Sequence, residues 1–253
     1  MCEILYLEGK ISNHRDAIIE SVNDMFQRNS DGVGFIADRS RFGKSNKLAD
    51  VIEQIDHEIG KSSELIIHTR LKTHGDSSMM NIHPVKSGRW AVIHNGIMHT
   101  KEEVNSHKKA SDTKKFTDLL EINSNIDEAF KKHSGSWSMF ILDKLENRLY
   151  YTKHSANFEF VYMVNDGLVV GATKLSLILT NFKQKRVFKK CFVRDKPLTI
   201  AKFKMKENVI YEIVDGSPTA KSEYKVKESH VYNSYVPSKY WYGEEKNGES
   251  IWW

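Results

Sequence analysis

Four short stretches carry residue types that could do chemistry together. The first is Met1-Cys2. Removal of the methionine would give Cys2 both a thiol and a free α-amino group, a nucleophile and a base on one residue. A thiol is reactive only as thiolate, so it needs a base or a positive dipole end nearby; without one, Cys2 is an idle buried thiol. The second is His68-Thr69-Arg70-Leu71-Lys72-Thr73-His74-Gly75. Arg70 offers a planar fork matched to a carboxylate, and Thr73 and His74 add donors beside it. The alternative is a surface arginine in a solvated loop that runs on to His83 and Pro84.

The third is Ile93-His94-Asn95-Gly96-Ile97. Asn-Gly between apolar runs is a hairpin signal. The same pair could aim a side-chain amide and a backbone N–H at one developing oxyanion, a contact worth about 3–4 kcal/mol in acyl transfer. The fourth is Ala110-Ser111-Asp112-Thr113, which opens a helix. It reads as an N-cap or as a carboxylate placed to bind an ammonium group. A further stretch, Asp31-Gly32-Val33-Gly34, is a turn or a close backbone approach to a ligand.

Strands and helices must position these groups. Residues 2–8 read as a strand. Asn13 to Arg28 has Ile18, Ile19, Val22 and Phe26 on one helical face, with Ser12 or Asn13 as cap. A second helix spans 47–59, and a buried strand lies within 63–70. Residues 71–87 read as loop, 90–94 as strand and 112–132 as one or two helices. After Gly135 strands dominate: 136–142, 148–151, 158–164, 168–171, 187–193, 198–204 and 209–214, with a short helix at 175–182. Runs of strands and helices without βαβ alternation favour an α+β layered domain. The expected division is a domain over 1–216 and a partly ordered C-terminal extension over 217–253.

The 253 residues are 40% hydrophobic and 28% charged, enough for a filled core. The net charge of +5 is spread over scattered lysines, with no stripe or motif for nucleic acid. No window has the apolar length of a membrane helix, and Glu3, Glu8 and Lys10 break up the N-terminus as a signal sequence. Two cysteines, Cys2 and Cys191, make no disulfide framework. A cytoplasmic protein is expected.

Taken in order, the stretches resemble the class II glutamine amidotransferases, the N-terminal-nucleophile glutaminases. His68-Thr69-Arg70 with Thr73-His74-Gly75 is similar to the family's His-Thr-Arg-Trp-Ala-Thr-His-Gly. Asn81-Ile82-His83-Pro84, His94-Asn95-Gly96-Ile97 and Ser111-Asp112-Thr113 match its Asn-x-His-Pro, His-Asn-Gly-Ile and Ser-Asp-Thr. Arg28 to Gly34 resembles its Arg-Gly-Pro-Asp-Gly-x-Gly. Leu71-Lys72 and Asn29-Ser30 stand where the family has Trp-Ala and Gly-Pro. The resemblance covers residues 2 to about 115 and implies a four-layer α-β-β-α sandwich. It implies Cys2 as nucleophile on the glutamine amide and Asn95 with Gly96 as oxyanion hole. It further implies Arg70 on the substrate carboxylate with Thr73 and His74 helping, Asp112 on the α-ammonium, and Arg28 supporting the nucleophile end. No metal or cofactor is implied.

The chain length leads to the expectation of a stand-alone glutaminase feeding ammonia to a separate acceptor or synthetase. The rivals are an amide hydrolase acting on another γ-glutamyl compound and a catalytically inactive binding domain. The aromatic tail (Tyr240, Trp241, Tyr242, Trp252, Trp253) packs back on the domain, is disordered, or docks a partner.

Overall fold

A computed structural model describes residues 2–73, 75–100, 108–163, 166–188 and 200–226. The chain begins with strand β1 (Glu3–Gly9), followed by helix α1 (Arg15–Arg28), β2 (Val33–Ala37), β3 (Arg41–Ser45), α2 (Ala49–Lys61) and β4 (Glu64–Thr69). Next come β5 (Val85–Ser87), β6 (Trp90–Thr100), α3 (Asp112–Asn123), α4 (Ile126–Lys131), β7 (His133–Asp143) and β8 (Arg148–His154). The described chain ends with β9 (Glu159–Met163), β10 (Leu168–Ala172), α5 (Leu175–Phe188), β11 (Ile200–Phe203), β12 (Val209–Val214) and β13 (Ser217–Glu223).

The strands form two antiparallel sheets. One has the order β11-β9-β10-β1-β4-β2-β3, the other β13-β12-β8-β7-β6-β5. Strand periodicity sorts the side chains into layers, because successive residues face opposite sides. In β1, Leu5 and Leu7 point to a core shared with α1, α2 and α5, through Ile18, Val22, Ile55, Ile59, Ile178 and Phe182. Ile4 and Tyr6 point the other way, to a core between the sheets with Ile66, Ile93, Phe140, Tyr151 and Phe160. A third core lies under α3 and α4, where Phe116, Leu120 and Phe130 meet Trp90, Val92 and Trp137. Three apolar layers between four structural layers make an α-β-β-α sandwich, as expected.

Several elements depart from the sequence reading. The turn Ile11–His14 is a 3-10 helix, and α1 starts at Arg15 with no side-chain cap from Ser12 or Asn13. β3 was hidden because Arg-Phe-Gly-Lys-Ser is a polar edge strand. The expected loop over 71–87 includes a short 3-10 turn, Met79–Asn81, and β5. β6 continues six residues past the expected end at His94. The strand expected over 187–193 does not form at its start: Val187 and Phe188 end α5, while 189–193, with Cys191, lie outside the described residues.

The boundary drawn at 216 falls at a hairpin. Ser217–Glu223 pairs with β12, and Tyr224 is buried, stacked on Phe130 and accepting a hydrogen bond from Trp137 Nε1 at 3.0 Å. The sheet therefore runs into the expected extension. The tail aromatics Tyr240, Trp241, Tyr242, Trp252 and Trp253 lie outside the described residues.

Phe140 is fully buried between the sheets and contacts the rings of Tyr6, Tyr151, Phe158 and Phe160. Phe140→Ala should destabilise the fold by about 4 kcal/mol through the cavity left between the sheets. Chemical denaturation monitored by circular dichroism checks this.

Candidate active site

The register of β1 against β4 decides what stands beside Cys2. Glu3 pairs with Thr69 and Ile4 with His68, so Cys2 lies where Arg70 leaves β4. The Leu71 N–H donates to Cys2 Sγ at 3.4 Å, and the thiol donates to the Leu71 carbonyl at 3.5 Å. Burial pushes the Cys2 thiol up, against the Leu71 hydrogen bond and the Arg70 charge, which favour thiolate. The next residue is held hard. Arg28 forks onto the buried Glu3 carboxylate at 3.0 and 2.9 Å, and Lys174 adds a contact at 2.7 Å. Burial alone would raise the Glu3 carboxyl; the two cations outweigh it and hold it below its ordinary value.

Arg70 is buried. Its backbone pairs with the glycine turn, with Arg70 N–H donating to Gly32 O at 2.7 Å and Asp31 N–H donating to Arg70 O at 2.9 Å. Its guanidinium donates to the Asp76 carbonyl at 2.9 Å. Burial pulls the guanidinium below its ordinary value, opposed by the charges of Cys2, Asp31, Asp112 and Asp76. The charge of Asp112 also raises the Cys2 thiol, while that of Arg70 lowers it.

Asn95 and Gly96 are not a hairpin turn. They lie inside β6, paired with Ser138 and Trp137 of β7. Gly96 has φ +140°, and a Cβ there would stand 2.0 Å from the Ser136 carbonyl oxygen, so no other residue fits. Asn95 is buried, and its Oδ1 has no hydrogen-bond partner among the described residues. Ser111 is the N-cap of α3, accepting from Lys114 N–H at 3.2 Å. Asp112 is turned onto β6, where its Oδ2 accepts from the Met98 N–H at 2.9 Å.

The β1–β4 register and the Leu71 contact set Cys2 beside Arg70, and Asp112 is tied to the strand of Asn95 and Gly96 through Met98. Arg28 is placed on Glu3, the residue after Cys2. Thr73 is exposed in the loop beyond Arg70, and His74 lies outside the described residues.

His68, His83, His94, Asn81 and Thr113, which belong to the same motifs, hold the ground behind these residues. The three imidazoles are buried together, with His68 and His83 ring centres 4.0 Å apart. Burial pushes His68 down to about 3 and also lowers His83 and His94. Asn81 ties two loops to each other: its amide nitrogen donates to Asp76 O at 3.1 Å and Lys109 O at 2.9 Å, and its oxygen accepts from Ser111 N–H at 2.8 Å. Lys44 donates to the Ile82 and Pro84 carbonyls at 2.8 and 3.1 Å, and burial pushes it down to about 8. The glycine at 34 serves the same loop, since a Cβ there would stand 2.1 Å from His83 O. Among the described residues no cluster of three or more His, Cys, Asp or Glu is arranged to hold a metal.

No protein-family model matches the chain. It is 27% identical over 169 residues to the glutamine–fructose-6-phosphate aminotransferase (isomerizing) of Bacillus spizizenii, covering 58% of this chain and 28% of that protein. The enzyme of the same name from Staphylococcus aureus strain Mu50 is 26% identical over 232 residues, covering 82% of this chain and 36% of its own length. The chain thus spans about a third of the length of these curated relatives. Among solved structures, glutamine phosphoribosylpyrophosphate amidotransferase from B. subtilis, complexed with ADP and GMP, superposes with a TM-score of 0.58 at 14% identity, over 87% of this chain and 49% of that one. The chain shares its fold with this solved amidotransferase and is similar in sequence to part of the two aminotransferases.

Arg28→Ala would leave Glu3 buried with Lys174 as its remaining cation. It should cost about 2 kcal/mol of stability at neutral pH, discounted because Arg28 is partly exposed. A carboxyl with a lowered folded value stabilises above its unfolded value and loses that contribution as pH falls through the folded one. The gap between wild type and variant should therefore be full at pH 7 and shrink below about pH 4. Urea titrations at pH 7 and pH 3.5 check the sign.

Proposed function

We propose that this chain hydrolyses the side-chain amide of glutamine. The reading is supported by Cys2 meeting the backbone just past Arg70 at one end of β1, and by Asp112 held on β6 two residues beyond Gly96, which admits no side chain. The named activities of the similar proteins point the same way.

Each group has a task in that reaction. Glutamine presents an α-carboxylate, an α-ammonium and a neutral amide. Arg70 takes the carboxylate with its fork, and Asp112 takes the ammonium. Removal of Met1 frees the Cys2 amine. The Cys2 sulfur attacks the amide carbon while its proton passes to that amine, and the carbonyl oxygen becomes an oxyanion. The Asn95 amide and Gly96 N–H stabilise it. The amine then protonates the leaving nitrogen, the C–N bond breaks and ammonia departs, leaving a γ-glutamyl thioester. Water attacks the thioester, the amine takes its proton, and glutamate leaves with the thiol restored. The ammonia goes to an acceptor on a separate protein or at the rim of this one. A reducing cytoplasmic compartment suits the free thiol. Among the described residues no helix is long and apolar enough to cross a membrane.

Intact mass should show loss of Met1, and incubation with glutamine should release equal amounts of glutamate and ammonia. Cys2→Ala should abolish release, and Asn95→Ala should lower kcat by about 10²–10³. A Cys2→Ala variant that still releases glutamate would sink the reading.

A further inference from the structure

Two imidazoles meet one hydroxyl next to the Asn95–Gly96 pair, and a third meets the backbone carbonyl between them and that pair. His68 Nε2 lies 3.1 Å from the His94 carbonyl oxygen. His83 Nε2 and His94 Nδ1 lie 3.2 and 2.9 Å from Thr113 Oγ1. Burial keeps all three rings neutral, so each has one N–H and one lone pair. A carbonyl only accepts, which puts the His68 proton on Nε2.

The Thr113 hydroxyl has one proton to give. Donated to His94 Nδ1, it leaves the His94 proton on Nε2, facing the Ser136 carbonyl, though short of hydrogen-bond geometry. Thr113 Oγ1 then accepts from His83 Nε2–H. Donated instead to His83, it forces the His83 proton onto Nδ1, which has no partner among the described residues, an orphan donor costing about 1–3 kcal/mol. That arrangement also turns the His94 Nε2 lone pair toward the Ser136 oxygen. A third choice, donation to Asp112 Oδ1, spans 3.4 Å, long for O–H···O, and turns the same lone pair toward the same oxygen. The first arrangement satisfies every group best.

The geometry points to Thr113 as a positioning residue for the Asn95–Gly96 strand, relaying hydrogen bonds in one direction from His83 through its hydroxyl to His94. His94 immediately precedes Asn95, and the neighbouring Asp112 holds Met98 N–H two residues beyond Gly96. The first two residues of α3 thereby grip β6 on both sides of the pair. The catalytic part of this inference rests on the glutaminase reading; the proton arrangement does not.

Two-bond ¹H–¹⁵N correlation spectra of the wild-type protein should show His68, His83 and His94 each as the Nε2–H form. An Nδ1–H form at His83 or His94 overturns the relay. Thr113→Val should lower kcat for glutamine hydrolysis about 10²-fold, the scale of a small misplacement near the reacting atoms, with KM within about threefold. It should also lose the single Nε2–H form at His94. Thr113→Ser, which keeps the hydroxyl, should retain the wild-type ring signals and a kcat within about threefold. An unchanged kcat in a folded Thr113→Val protein overturns the positioning role. If Thr113→Val does not fold, Thr113→Ser decides: wild-type ring signals with lost activity overturn the role, and retained activity supports it. An inactive wild-type enzyme with the expected ring signals would remove the glutaminase reading and the positioning role while leaving the relay standing.

Discussion

The site depends on immobilising a chain terminus. Terminal residues fray unless something ties them down, and a reactive group on residue 2 needs them fixed. Here β1 is the middle strand of seven, paired with β10 on one side and β4 on the other. Its side chains alternate between two apolar layers, so a slip of one residue would exchange Leu5 and Leu7 with Ile4 and Tyr6 and mispack both cores. Hydrogen bonds close the last gap. Ile4 N–H donates to Thr173 Oγ1 at 3.1 Å, and Thr173 N–H donates back to Ile4 O at 3.2 Å. Glu3 is gripped by two cations. Cys2 is thereby held from its C-terminal side by sheet pairing and at its sulfur by the Leu71 backbone.

The same strand register delivers Arg70, but the polar loops around it are held differently. Residues 75–84 bury little apolar surface, and Ile82 is an exception that packs over Gly32. Their order comes from backbone groups that find partners. Asn81 joins Asp76 to Lys109 and Ser111, and Lys44 anchors both carbonyls flanking His83. Close backbone approach replaces side-chain packing, which explains why Gly34 and Gly75 sit where a Cβ would strike His83 O or the Asn81 amide. The His68–His94 contact then stitches β4 of one sheet to β6 of the other beside the site.

Much of this was legible in the sequence, and the parts that were not share a cause. The apolar run Ile4-Leu5-Tyr6-Leu7 reported a strand, and the helical spacing of Ile18, Val22 and Phe26 reported a buried helix face, because burial writes its pattern into the chain. The motifs reported which residues converge. What local reading misjudged was decided by partners far away in sequence. Asn95–Gly96 has the composition of a turn, yet pairing with β7 keeps it within a strand. Asp31-Gly32-Val33-Gly34 brings backbone close to Arg70 and to the His83 loop, which composition alone could not distinguish from an approach to a ligand. Val187 and Phe188 have strand propensity and end a helix, since local preference yields to tertiary context. Ser217–Glu223 is polar enough to pass for a tail and finds its place as an edge strand.

The electrostatics give the N-terminal amine its reason. Burial outweighs Arg70 and the Leu71 N–H, so the Cys2 sulfur rests as a neutral thiol. A neutral thiol attacks an amide poorly, and its proton must leave as the new bond forms. The buried imidazoles offer no help: His83 and His94 are engaged with Thr113, His68 with a carbonyl, and all three hold little basicity. Asp112 is already engaged with the Met98 and Thr113 N–H groups, and ionising the thiol beside it is made harder by its charge. The Leu71 groups at the sulfur are a carbonyl and an amide, neither of them a base at neutral pH. Among the described residues the surroundings of the sulfur thus supply no proton acceptor. In the proposed reaction an amine on Cys2 itself would fill that role without adding a charged side chain.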